Sequence, residues 1–316
     1  MSPRDLHVGM YGAVMGLAGL GMSARAAAPV LPGTVRAPAY FTEPWIAAGA
    51  LALAILLPLY AWKLLRHPAA VREDFTNPLL LGFCGAFPVG MSIVAGGLAP
   101  YVPQLAGALW WISFVLLLAF QVWALTRWFG GGIDLAHMNA GWLIIMVGGI
   151  VMPGSGIALG NVEASRFIFG VSAAAAPILM ALLFYRAIVG PALPAPLRPS
   201  WFILLVPPCL IYANGIVLYP SATFLELLFY FALVLAAALL VLSRGLLGWS
   251  FGPPWWAFTF PLDALAYASA RYALDHPEPL WQAICAATLL LATLFVAVVL
   301  LRTLAAILRS AASRRP

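Results

Sequence analysis

Ten apolar blocks, each about as long as a lipid bilayer is thick, take up almost the whole chain and leave few folds open. They run approximately over 8–24, 44–65, 78–98, 104–127, 138–159, 164–187, 200–219, 222–243, 255–273 and 280–301, separated by Pro, Gly or charged residues. A helix needs roughly 20 mainly apolar residues to cross the hydrocarbon core, so each block reads as one transmembrane helix. Strands fit badly, because a barrel needs segments of about 10 residues that alternate in hydrophobicity. The block LLFYFALVLAAALLVL shows no alternation. Composition agrees: the chain is 64% hydrophobic and 8% charged, with a mean hydropathy of +1.00, outside the range of soluble domains. The expected fold class is therefore all-α integral membrane, organised as a single ten-helix transmembrane domain over 1–316.

Basic residues set the expected orientation, since cytoplasmic loops hold the excess of Lys and Arg. One set of helix ends carries Arg4, Lys63, Arg66, Arg72, Arg127, Arg186, Arg198, Arg244, Arg302, Arg309, Arg314 and Arg315; the other has only Arg25, Arg36, Arg166 and Arg271. This asymmetry predicts a multi-pass protein of the cell (inner) membrane with both termini in the cytoplasm. The basic tail LRSAASRRP reads as an anchor to the headgroups of the bilayer, its expected partner, and not as a nucleic-acid site. The first block also resembles a signal peptide with an Ala-x-Ala site before Pro29. Its glycines at 9, 12, 16, 19 and 21 fit a closely packed membrane helix better.

Cys84, Cys209 and Cys285 stand singly inside predicted spans, and His7, His67, His137 and His276 lie near span ends without clustering. Neither set has metal-site or disulfide spacing, so no metal and no cofactor is expected. No HExxH, paired aspartates or Ser-His constellation lies within the spans, which argues against an enzyme. Helix starts are legible at Asn77-Pro78, at Pro253-Pro254 and at Asn161 with Glu163. Thr223 and Glu226 have capping-box spacing.

The odd-numbered spans carry internal prolines: Pro88 in GAFPVG, Pro153 in IVMPGSG, Pro207-Pro208 in LLVPPCL, and Pro261. Of the later even spans, only the sixth has one, Pro177. A proline within a helix removes a backbone bond and kinks it, and the freed carbonyl needs protein or water when it lies in a membrane. The odd helices are thus expected to line something wet or to pack centrally.

Four stretches carry a family resemblance. WWAFTFPLDALAYASARYA resembles the ninth helix of the tellurite-resistance/dicarboxylate transporter family, which includes the bacterial TehA proteins and the plant slow-type anion channels. MYGAVMGLAGLGMS is similar to that family's first helix, LLPLYAWKLLRHPAAVREDFTNP to its second helix and following loop, and LLVPPCLIYANG to its seventh. The likeness runs from about residue 8 to 305. It implies ten helices arranged as five helical hairpins around a pseudo-fivefold axis, with the odd helices lining a central pore. It also implies a homotrimer, each pore plugged by a ninth-helix phenylalanine at the position of Phe260, with Gly12 leaving room for the ring. The pore-lining or kinking positions are then Gly12, Gly16, Phe87, Pro88, Pro153, Pro207, Pro261, Ala264 and Tyr267. The family's first-helix proline is replaced near Val14, and Pro153 falls later in its span than the family pattern. The short termini predict no large regulatory tail of the kind the plant members carry.

Residues three and four apart share a helix face, so Phe260, Asp263, Ala264, Tyr267 and Arg271 are expected to form one stripe. A carboxylate near mid-span costs ~2.5–3.5 kcal/mol on insertion scales and should face water or the bundle interior. Asp263 is expected either to titrate and modulate conduction or to sit in a structural hydrogen bond, one option being a pairing with Arg271 through Tyr267. The resemblance implies a gated channel for small anions. The alternative is a proton-coupled transporter of C4-dicarboxylate, sulfite or tellurium oxyanions, with Asp263 as its titrating group.

Overall fold

The structure, a computed structural model, describes residues 4, 6–33, 38–245 and 248–312. Arg36, Arg314 and Arg315 of the charge count lie outside the described residues. Among the described residues twelve α-helices follow one another: α1 (Tyr11–Ala27), α2 (Ala39–Arg66), α3 (Pro68–Thr76), α4 (Ala86–Leu98), α5 (Pro103–Phe129), α6 (Trp142–Val147), α7 (Pro153–Gly156), α8 (Val162–Val189), α9 (Val206–Leu218), α10 (Glu226–Leu242), α11 (Thr259–Asp275) and α12 (Pro279–Ala312). No strand occurs among the described residues. Seven helical stretches are long and apolar enough to cross a membrane, counting α4 and α9 with the 3-10 turns that lead into them. The segments α1, α6–α7 and α11 are shorter.

Two layers separate by burial. In α2, α5, α8, α10 and α12 only 22–33% of the most apolar stretch is buried, whereas Leu81–Leu98 and Ala195–Leu218 are 89% and 78% buried. Thirteen of the seventeen residues of α1, and thirteen of the seventeen of α11, are buried as well. Long aliphatic side chains such as Leu51, Ile112 and Val234 are exposed on the outer helices, as suits lipid contact. The inner helices α1, α4 and α11 are rich in Gly, Ala and Ser. Small residues let backbones approach closely, which is how helices gain packing energy in a membrane.

The inner elements pack in sequence. Helix α1 touches α4 and α11; α4 touches α7 and the 3-10 turn Gly148–Val151; that turn and α7 touch α9; and α9 touches α11. Each outer helix lies against the inner element before it: α2 on α1, α5 on α4, α8 on α6 and the Gly148–Val151 turn, α10 on α9, and α12 on α11. The tightest inner crossing is α1 with α11, where a Cβ added at Gly16 would lie 2.0 Å from Thr259 Oγ1. Gly16→Ala is therefore expected to destabilise the protein by about 1–3 kcal/mol, the usual cost of overpacking. Gly170→Ala on the exposed face of α8, where a Cβ meets nothing within 4 Å, should cost nothing. Thermal unfolding of the two variants in detergent checks the contrast.

Proline does not sort the layers as the sequence suggested. Pro44 and Pro58 lie inside the outer helix α2, and Pro177 lies inside α8. Pro88, Pro153, Pro207, Pro208 and Pro261 fall in the first turn of an α-helical piece that a 3-10 turn precedes, so they mark junctions and not mid-helix kinks. Tighter 3-10 bonds bridge these junctions, as where Val206 N donates to Ile203 O. Polar side chains satisfy nearby carbonyls. Ser113 of α5 donates to the Pro88 carbonyl and Trp110 Nε1 to Met152 O at 3.1 Å. Gln121 Nε2 and Ser172 Oγ donate to Met146 O at 2.9 and 3.1 Å, and Asn214 Nδ2 to Ile150 O at 2.7 Å.

Two expected caps take other forms. Asn77 Oδ1 accepts from Leu79 N at 3.0 Å in a turn ahead of the helix. Glu226 makes no capping box with Thr223; its Oε1 lies 3.4 Å from His276 Nε2.

Candidate functional site

Two cavities lie within the inner layer. The first, about 640 Å³ with its opening, is bounded by residues that include Gly12, Val147, Ile203, Pro207 and Pro261. The second, about 480 Å³, is bounded by Gly19, Ser23, Ser155, Asn214, Ala264 and Tyr267 among others. Two residues belong to both walls, Val151 and Phe260. Phe260, 7% exposed, and Val151 therefore mark the place where the two cavities adjoin.

The local sequence explains how the ring is held. Pro253-Pro254 opens a 3-10 turn over Pro253–Phe258, and α11 begins at Thr259, so Phe260 and Pro261 fall in its first turn. Gly19 on α1 leaves the room the ring needs: a Cβ there would sit 3.0 Å from Phe260 Cδ2. Gly12 lines the first cavity, but the atoms nearest a Cβ on it belong to Trp256. The accommodating glycine is thus one that the sequence reading left without a role.

The other expected site residues divide into two groups. Pro207 and Pro261 line the first cavity, and Ala264 and Tyr267 the second. Gly16, Phe87, Pro88 and Pro153 are absent from both walls. Gly16 is spent on the contact with Thr259, Phe87 packs its ring 4.9 Å from Tyr11, and Pro88 turns its carbonyl to α5. Pro153 is buried as the first residue of α7.

Asp263 stays beside Phe260 on the side of α11 that meets Gly19 of α1, but outside the cavity wall that Phe260, Ala264 and Tyr267 share. It is 1% exposed and lines neither cavity; its carboxylate packs at Gly19, where an added Cβ would meet Oδ2 at 2.9 Å. Its backbone carbonyl accepts from Ser23 Oγ at 2.7 Å, while both carboxylate oxygens lack a partner among the described residues. The expected link to Arg271 through Tyr267 is not formed. Arg271 pairs with Asp275 at 3.1 Å, and Tyr267 OH donates to Asn214 Oδ1 at 3.5 Å. No Asp or Glu side chain lines either inner cavity among the described residues. The carbonyls of Met146, Ile150 and Met152, which accept from the donors named above, belong to residues outside both walls. The walls are thus apolar, with a few neutral donors and no charge that would repel an anion.

Residues 5–304 match the family described as SLAC1, voltage-dependent anion channel. The chain is 26% identical over 264 residues to the S-type anion channel SLAH3 of Arabidopsis thaliana, covering 82% of this chain and 41% of that protein. It is 25% identical over 224 residues to SLAH2 of the same plant, covering 68% of this chain and 42% of that protein. The aligned part is therefore about two fifths of the length of these relatives. Their names are those of channels and not of enzymes. With the match spanning nearly all of its length, the chain belongs to the SLAC1 family of voltage-dependent anion channels.

Proposed function

We propose that this protein is a gated anion channel whose path runs through the two inner cavities and is closed where Phe260 meets Val151. The single observation carrying the reading is that these two residues are common to both cavity walls. An apolar constriction of this kind excludes water and with it any hydrated ion. The lack of Asp and Glu side chains in the walls among the described residues supports passage of small inorganic anions over cations. The packing order of the inner elements, each with its outer partner, supports ten spans as five hairpins around one path and a single domain.

In a planar bilayer with unequal chloride on the two sides, the reversal potential is expected to follow the chloride gradient and ignore an imposed proton gradient. A reversal potential that moves with the proton gradient would instead establish a coupled carrier. That alternative is the weaker reading, because neither partition residue titrates and Asp263 stands outside both walls.

Asp263 enters as a modulator. It presses on the same patch of α1 at Gly19 as the Phe260 ring, so a change in its charge acts on the plug without touching the anion. Asp263→Asn is expected to flatten the pH dependence of wild-type current, and an unchanged profile would leave Asp263 with a structural role only. We further assign a homotrimer in the cell membrane with both termini cytoplasmic; the surplus of Lys and Arg on one set of helix ends supports the orientation. Chemical crosslinking in native membranes tests the trimer.

A further inference from the structure

A third cavity extends the series. It is wider, about 1160 Å³ with its opening, and Arg4, Lys63, Arg66, His67, Glu73 and Asp74 stand around it. Its wall shares one residue with the first inner cavity, His7. His7 therefore occupies the neck between a charged vestibule and the chamber that ends at Phe260, as Phe260 and Val151 occupy the next neck.

The chemistry of the ring at that neck is fixed by the chain itself. His7 precedes the short 3-10 turn Val8–Met10, and its Nδ1 accepts from Gly9 N at 2.9 Å. A nitrogen that accepts carries no proton, so the neutral ring keeps its hydrogen on Nε2. The ring is further set by an edge-on contact with Phe83, centroids 6.3 Å apart. In a chamber wall whose only other polar side chain among the described residues is the indole of Trp256, this N–H is a donor with the polarity an anion needs. A hydrogen bond to an ion is strong where water is scarce.

We propose that His7 is an anion-binding site, where Nε2–H receives a small monovalent inorganic anion such as chloride or nitrate as it passes from the vestibule into the first chamber. The site rests on the channel reading for its place on a path, though not for its chemistry. Around it, Lys63 of α2 is engaged by Asp74 of α3 at 2.6 Å. Among the described residues, Arg4, Lys63 and Arg66 stand around the mouth with Glu73 and Asp74, a lining with more positive than negative side chains, which favours anions. The turn Leu81–Gly85 contributes Phe83 and the buried thiol of Cys84, and the turn Pro253–Phe258 contributes no charged side chain. Burial holds the His7 pKa below the ordinary histidine value; Asp74 opposes the shift and Lys63 adds to it. The ring is thus neutral at pH 7. Below that lowered pKa it gains a charge at the neck and gives up the bond from Gly9, and the anion is held more tightly.

The test is nitrogen-15 NMR of histidine-labelled wild-type protein in nanodiscs, titrated with sodium chloride against sodium gluconate, whose anion is bulky and polyhydroxylated. Chloride is expected to move the His7 Nε2 resonance and shift its titration midpoint upward, and gluconate to leave both in place. Equal responses to the two salts, or none, would overturn the site. A second arm uses the Phe260→Ala channel, in which current is expected to rise about fivefold when the vestibule side is acidified below the His7 pKa. His7→Gln keeps an acceptor for Gly9 and a donor for the anion but does not titrate, so it should abolish that rise; a rise that persists in His7→Gln overturns the proposal. A chloride response in the spectra with no current through Phe260→Ala would sink the channel reading and leave the anion site standing.

Discussion

Replacing Phe260 by Ala is expected to raise anion current about a hundredfold in a planar bilayer, which corresponds to removing a barrier of about 3 kcal/mol. On the proposed gate the ring stands where two cavities adjoin, so its truncation is expected to join them. Larger aliphatic side chains at the position should give intermediate currents, with Phe260→Leu below Phe260→Val. Val151→Ala should produce a smaller rise, because Val151 is the lesser part of the same partition. The competing possibility, a ring that is only a packed core aromatic, predicts a different pair of results: no current, and a loss of roughly 3–5 kcal/mol in stability as for a buried Phe→Ala change. A plug with empty space on both faces makes fewer contacts, so the expected stability loss is well below that range. Measuring current and thermal unfolding on the same preparation separates the two.

The parts of this architecture that were legible in the sequence are those that depend on local chain chemistry. The apolar blocks mark the long outer helices because lipid contact tolerates nothing else over about 20 residues. Phe260 and Pro261 stand out because a resemblance drew attention to an aromatic beside a proline at the start of a helix. The Tyr-x-x-Lys-Leu stretch was also visible, and Tyr60 and Lys63 prove to hold the α2–α3 corner together. What the sequence hides is azimuth. Gly12, Gly16 and Gly19 look alike in a string of small residues, yet one faces Trp256, one Thr259 and one Phe260. Helical spacing put Asp263 on the stripe of Phe260, and both side chains do meet α1 at Gly19, yet only Phe260 reaches the cavity walls. Val151 and His7 carried no signal at all, since a valine in an apolar block and a histidine near a span end acquire meaning only when two cavities meet at them.

The largest expected loss of stability lies at that α2–α3 corner. Lys63 Nζ is 2.6 Å from Asp74 Oδ2 and 2.9 Å from the carbonyl of Leu6, and Tyr60 OH donates to the same Asp74 oxygen at 2.7 Å. The two charged side chains are only 3% and 8% exposed, so each has exchanged its hydration for the other. Lys63→Met removes one charge and leaves the second buried with a single hydroxyl, at an expected cost of about 3–5 kcal/mol. Tyr60→Phe removes one hydrogen bond to a charged group and should cost about 1.5–3 kcal/mol. The double variant Lys63→Met with Asp74→Leu abolishes the unpaired charge and should regain most of what the single change loses, because burying two apolar groups is as favourable as burying the pair. Breaking the exposed Glu163–Arg166 pair, by contrast, should cost about 0–1 kcal/mol. Lys63 also anchors the carbonyl of Leu6, immediately before His7, so Lys63→Met should loosen the vestibule neck as well as the corner. Proteolysis near residue 6 and melting in detergent report the two effects separately. A Lys63→Met protein that melts like the wild type would mean that water reaches this pair and that the corner is not closed.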